Sequence, residues 1–162
     1  MVKMDSKYLL TMVFAFLVIL IGCKDDDGDP SPHISMEEYL VQNSDKYEGY
    51  IETNSGLIYW IEEEGTGDFP ETGDLVKVHY TGYHMDDSQF DSSYGNGFPF
   101  SLTLGQNQVI MGWEEGILLM KKGAKCTFFI PSDLAYGKDG AGSIASNEDL
   151  RFDIKLIDIV RN

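Results

Sequence analysis

From Gly49 onward, apolar residues recur at every second position. Leu57, Tyr59 and Ile61 alternate with Ile58 and Trp60, between Ser55-Gly56 and Gly65-Thr66-Gly67. A period of two predicts a strand, and the glycine-rich flanks predict its ends. After a turn at Thr72-Gly73-Asp74, Val76, Val78 and Tyr80 alternate with Lys77, His79 and Thr81. Met85-Asp86-Asp87-Ser88 reads as a polar hairpin, with Phe90 resuming the strand. Phe100, Leu102 and Leu104 form another run that stops at Gly105. Strands are predicted over 126–130 and 150–159, where Phe152, Ile154 and Leu156 share a face. Trp113, Ile117 and Met120 instead stand at i, i+4 and i+7, the spacing of one helix face. Glu114 and Glu115 fall in that helix's first turn and Lys121 and Lys122 in its last, a charge order that suits the helix dipole. Gly123 is its stop. Upstream, Ser35 and Glu38 form a capping box that opens a short helix running to about Asn43, with Tyr39 and Leu40 on its apolar side. An apolar sheet face with one amphipathic helix to cover it predicts an α+β domain.

The chain has 162 residues, 43% of them hydrophobic, which is enough for one core. Its formal net charge of -15 speaks against nucleic acid and against anionic lipid headgroups as partners. His33, His79 and His84 lack metal-ligand spacing, and no phosphate loop or Gly-x-Ser-x-Gly elbow is present. The reading is therefore cofactor-free and metal-free. Cys126 alternates with Phe128 and Ile130, as a buried core thiol would.

Lys3 and Lys7 precede an apolar run from Tyr8 to Gly22, short for a membrane span and suited to a signal-peptide core. Leu20-Ile21-Gly22-Cys23 resembles the bacterial lipobox, in which the cysteine is lipidated and becomes the new N-terminus. Lys24-Asp25-Asp26-Asp27-Gly28-Asp29 fails as a calcium loop, because Pro30 takes the sixth position, where glycine is required. The acidic run resembles the surface-export signal of lipoproteins in the Bacteroidetes. The expected layout is a signal peptide over 1–22, a lipidated acidic tether over 23–34, a short helical extension over 35–55 and the main folded domain over 56–162. The expected location is the cell envelope, anchored by lipid to the outer membrane on its periplasmic or outer side.

Further motifs sharpen the picture. Val78-His79-Tyr80-Thr81-Gly82 is followed by Phe90-Asp91-Ser92-Ser93, Pro99-Phe100, Leu104-Gly105, Val109-Ile110, Gly112-Trp113-Glu114-Glu115-Gly116 and Ala135-Tyr136-Gly137. In order and spacing this set resembles the FKBP-type peptidyl-prolyl isomerases, over about 56–160. The resemblance implies an antiparallel sheet of five to six strands wrapped around one short helix. It also implies a site in which Tyr80, Asp91, Trp113, Tyr136 and Phe152 carry the reaction and Phe90, Phe100, Val109, Ile110 and Ile144 bind substrate. Trp113 would be the floor under the proline ring, and the Ile110 N–H would hold a substrate carbonyl. Two stretches depart from the family pattern: Ile144-Ala145-Ser146-Asn147 stands where Ile-Pro-Pro and a histidine are frequent, and a frequent arginine after Phe-Asp-Ser-Ser is replaced around Asn96.

These residue types suit the chemistry. Rotation about an X-Pro bond meets a barrier of roughly 18–20 kcal/mol because resonance is lost on twisting. The twisted amide is less charge-separated than the planar one, so water stabilises it less. An apolar aromatic pocket favours it relative to the planar state, and that difference is catalysis. The expected substrates are proline-containing unfolded or exported polypeptides, and the expected state is monomeric. The alternative is a proline-segment-binding chaperone or adaptor with little turnover.

Overall fold

The computed structural model describes residues 34–161. Cys23, the signal segment, His33 and all of the tether but residue 34 lie outside the described residues. No helix among those described is long and apolar enough to cross a membrane.

The elements run α1 (Met36–Gln42), β1 (Ile51–Glu52), β2 (Ile58–Glu63), β3 (Leu75–Tyr83), β4 (Gln89–Ser92), β5 (Phe100–Thr103), α2 (Met111–Leu118), β6 (Lys125–Ile130) and β7 (Leu150–Val160). All pairings are antiparallel, in the order β1-β2-β6-β7-β3-β4, with β5 also paired to β3. The sheet has seven strands rather than five or six. The excess comes from the two-residue β1, too short to show a period, and from one edge strand split into β4 and β5. These two pair with successive halves of β3, and the interruption between them faces His79 and Tyr80.

α2 packs its buried face, Gly112, Trp113, Gly116 and Ile117, onto the sheet. The approach is close: a Cβ on Gly116 would lie 2.5 Å from the ring of Phe128. The helix ends sooner than its periodicity predicts. Leu119 is its C-cap, so Met120, Lys121 and Lys122 lie beyond it. Met120 is nonetheless fully buried, which is why it kept the apolar spacing. Inward residues of β3, β5, β6 and β7 complete this core, Cys126 among them. Burial pushes the Cys126 thiol up to about 12, well above reactive values.

One end of the sheet's other face is covered too. α1 starts as its sequence signals, with Ser35 Oγ accepting the Glu38 N–H at 3.2 Å. Tyr39, Leu40 and Tyr47 then pack against Ile58, Met85 and Phe129. Met85, placed by its neighbours in a polar hairpin, is thus a core residue of this second layer. Burial on both faces explains why β2 reads as a nearly continuous apolar run.

Candidate functional site

The site is built from the split edge strand. Beyond Ser92, β4 leaves the ladder and side chains take over its bonding to β3. Ser93 Oγ accepts the Tyr80 N–H at 2.9 Å, and the Ser93 N–H donates to the Tyr80 carbonyl at 3.1 Å. Ser92 Oγ donates to that carbonyl at 3.1 Å, and Asp91 Oδ1 accepts the Ser92 N–H at 2.8 Å. The Asp-Ser-Ser turn is thereby bonded onto Tyr80. Asp91 Oδ2 is then free to accept the Tyr80 hydroxyl at 2.6 Å. Burial, and secondarily this bond to Asp91, raises the Tyr80 pKa above its ordinary value; burial and the Asp91 charge also raise that of Tyr136. Both phenols therefore remain neutral at physiological pH. Among the described residues the hydrogen bonds to Asp91 come from the Tyr80 hydroxyl and the Ser92 N–H.

The second wall is the entry to α2. Ile110 is its N-cap, in extended conformation, with no side-chain cap. Glu114 fixes the preceding turn by accepting the N–H groups of Gly105 at 2.7 Å and Asn107 at 3.1 Å. Its carboxylate thus holds a loop as well as suiting the helix dipole. Among the described residues no acceptor takes the Ile110 N–H. Trp113 follows in the first turn, 3% exposed, and edge-to-face contacts surround it: Tyr80 at 4.8 Å, Phe152 at 5.3 Å and Phe100 at 6.2 Å between centroids. Its buried indole N–H meets no acceptor among the described residues, so the surrounding rings set its position.

Gly82 makes room for two of the rings. It sits between Asp91 on β4 and Phe152 on β7. A Cβ there would lie 2.7 Å from Phe90 and 2.8 Å from Phe152, which meet edge-to-face at 5.5 Å. Gly82→Ala is expected to lose about 1–3 kcal/mol of stability by overpacking, measured by urea denaturation.

These walls enclose a cavity of about 270 Å³, just under the usual ligand-pocket range of about 300–1,000 Å³. Nine of the ten residues expected at the site line it: Tyr80, Phe90, Asp91, Phe100, Val109, Ile110, Trp113, Tyr136 and Phe152. Ile144 is not among the lining residues and is buried in the main core. Gln108 lines the cavity without having been anticipated. Its side-chain Oε1 accepts the Thr103 N–H at 2.9 Å, a cross-loop bond that nothing in its sequence neighbourhood signals. Two larger hollows, of about 500 and 390 Å³, lie beside α1 and beyond the end of α2. The smaller cavity is distinguished by its convergent aromatic rings around one carboxylate. Among the described residues no group of three or more His, Cys, Asp or Glu side chains is placed to hold a metal ion.

An antiparallel sheet closed over one short helix, with an aromatic cavity at that helix's N-terminus, is the FKBP-like fold. The solved structure of FkpA from Escherichia coli superposes with a TM-score of 0.69 at 40% identity, over 76% of this chain and 57% of that one. AtFKBP13 superposes at 0.65 and 37% identity, over 67% of this chain and 97% of that one. In sequence, the FKBP-type peptidyl-prolyl cis-trans isomerase FkpA of Aeromonas hydrophila is 53% identical over 76% of this chain and 45% of its own length. The family profile described as FKBP-type peptidyl-prolyl cis-trans isomerase matches residues 67–157. The chain belongs to the FKBP-type peptidyl-prolyl cis-trans isomerase family. It spans about half the length of the curated relatives it matches.

Proposed function

We propose that this chain accelerates cis-trans rotation of X-Pro bonds in unfolded or exported polypeptides, without covalent chemistry. The observation that carries the reading is the ring of Tyr80, Phe100 and Phe152 around Trp113, with Asp91 the one charged lining residue. In this reading the proline ring rests on Trp113. The Ile110 N–H, free of any acceptor among the described residues, holds the carbonyl on one side of the twisting bond. Phe90, Phe100, Val109 and Phe152 exclude water, so the less charge-separated twisted amide is favoured over the planar one. Tyr80 and Asp91 supply a fixed polar edge, and Tyr136 closes the mouth. Ile144 acts from behind, through the core.

The test is a protease-free isomerisation assay on residues 24–162, with peptides that vary the residue before proline. Acceleration is expected. Binding of the same peptides without acceleration would make the chain a holder of proline segments instead.

We read residues 1–22 as a signal peptide, 23–34 as a lipidated acidic tether, 35–55 as a helical extension and 56–162 as the catalytic domain of a monomeric envelope protein. One lipid anchor at Cys23 would leave the folded part soluble. Cys23→Ala is expected to move the protein from the membrane fraction to the soluble fraction. An unchanged distribution on fractionation would remove the anchor from the account.

A further inference from the structure

The loop between β6 and β7 contains a buried acid that the pocket's own residues do not explain. The Glu148 side chain is 4% exposed, yet it lies in a connecting loop. One of its oxygens accepts the Ala145 N–H at 2.6 Å. The other accepts from Nδ1 of His84, which projects from the β3–β4 hairpin and is itself mostly buried. A carboxylate is kept out of water only where such bonds satisfy it.

Each end of this pair reaches a different cavity wall. The His84 ring packs against Phe90, with centroids 5.1 Å apart. On the loop side, the Asn147 N–H donates to the Gly137 carbonyl at 2.8 Å and Ser146 Oγ donates to the Lys138 carbonyl at 2.7 Å. Those bonds hold the turn directly after Tyr136. Where the family pattern has Ile-Pro-Pro, this chain has Ile144-Ala145-Ser146. Prolines restrict such a loop through their fixed φ; here a buried, hydrogen-bonded His84–Glu148 pair restricts it from the side.

We propose that Glu148 and His84 are positioning residues of the cavity, holding its Phe90 wall and its Tyr136 wall at a fixed separation. The consequence for activity rests on the isomerase reading above; the consequence for geometry does not. Looser walls contact the residue before proline less selectively. Substrate binding weakens, and peptides with small and large preceding residues are treated more alike.

The experiment compares the full chain in detergent with Glu148→Ala, Glu148→Gln and His84→Gln, by hydrogen exchange and by isomerisation kinetics. Glu148→Ala is expected to speed exchange about tenfold in residues 144–148 and in residues 89–93, with β2 and β6 unchanged. It is expected to lower kcat/KM about tenfold through KM and to narrow the spread between substrates. Glu148→Gln keeps an acceptor for Ala145 and gives an intermediate result, which also serves if the alanine variant does not fold. His84→Gln keeps a donor to Glu148 but loses the ring against Phe90, so only residues 89–93 loosen. Unchanged exchange in 89–93 in every variant that folds would overturn the proposal, leaving Glu148 a loop anchor alone. If the unaltered chain does not accelerate isomerisation, the isomerase reading fails, and the exchange data still decide whether the pair sets the walls.

Discussion

Replacing Trp113 with alanine is expected to lower kcat/KM by about a hundredfold, or roughly 2.7 kcal/mol of transition-state stabilisation. In the proposed mechanism this ring is the surface that turns desolvation of the twisted amide into a rate. It touches Tyr80, Phe100 and Phe152, so its loss also frees the rings that exclude water. The same ring is core, and a Trp→Ala change there costs about 3–5 kcal/mol of stability. Trp113→Leu separates the two effects. It retains part of the apolar packing but not the flat floor, and about a tenfold loss in kcat/KM is expected with a smaller stability cost than the alanine change. Tyr80→Phe and Asp91→Ala test the polar edge, because the hydroxyl and the carboxylate meet at 2.6 Å. Isomerisation rates measured at a temperature where every variant is folded decide the matter. If Trp113→Leu and Asp91→Ala both keep wild-type kcat/KM, these residues do not form the working site.

The alternation of Val76, Val78 and Tyr80, and that of Cys126, Phe128 and Ile130, made the sheet legible, because one inward face imposes a period of two. The pocket was legible for another reason. Its residues are singled out by the ordered motif set and the family that set resembles; taken singly, Phe90, Phe100, Trp113 and Phe152 read as plain core. Three things were hidden. The end of α2 was placed too late, since Met120 is buried at helical spacing without being helical. The second hydrophobic layer was hidden because Ile58, Trp60 and Phe129 look like excess apolar residues until α1 is seen to cover them. Gln108 and Ile144 were hidden because a lining position is set by loop paths. A resemblance supplies the expected lining residues, but not the loop path that buries Ile144.

Asp87→Ala is expected to cost about 2 kcal/mol, although its side chain is 62% exposed. The reason lies in its partner. Arg151 points from β7 into the second layer with its side chain 6% exposed, bonded to Asp87 and to the Tyr39 hydroxyl, and stacked 4.2 Å from the centre of the Tyr83 ring. Residues 39, 87 and 151 come from α1, the β3–β4 hairpin and β7, so this one cation ties the N-terminal extension to the sheet. Without Asp87 the guanidinium keeps its burial and loses its countercharge. The solvent exposure of Asp87 screens the pair and holds the cost below that of breaking a fully buried pair. Arg151→Met should behave oppositely: the aliphatic chain fills the same space, Asp87 turns to solvent, and stability stays within about 1 kcal/mol or rises. The pH dependence has a definite sign. Burial pushes the Asp87 carboxyl up, but the bonds from Tyr39 and Arg151 outweigh it and hold the group below its ordinary value of 3.8. A depressed acid contributes its full stabilisation above that ordinary value and loses it as pH falls through the folded-state value. The deficit of Asp87→Ala is therefore expected to be constant at neutral pH and to shrink in acid. Urea denaturation at neutral pH and near pH 3 measures it. A deficit that persists unchanged in acid would mean that Asp87 acts through the hairpin's shape, where it holds a left-handed φ of 66°, and not through Arg151.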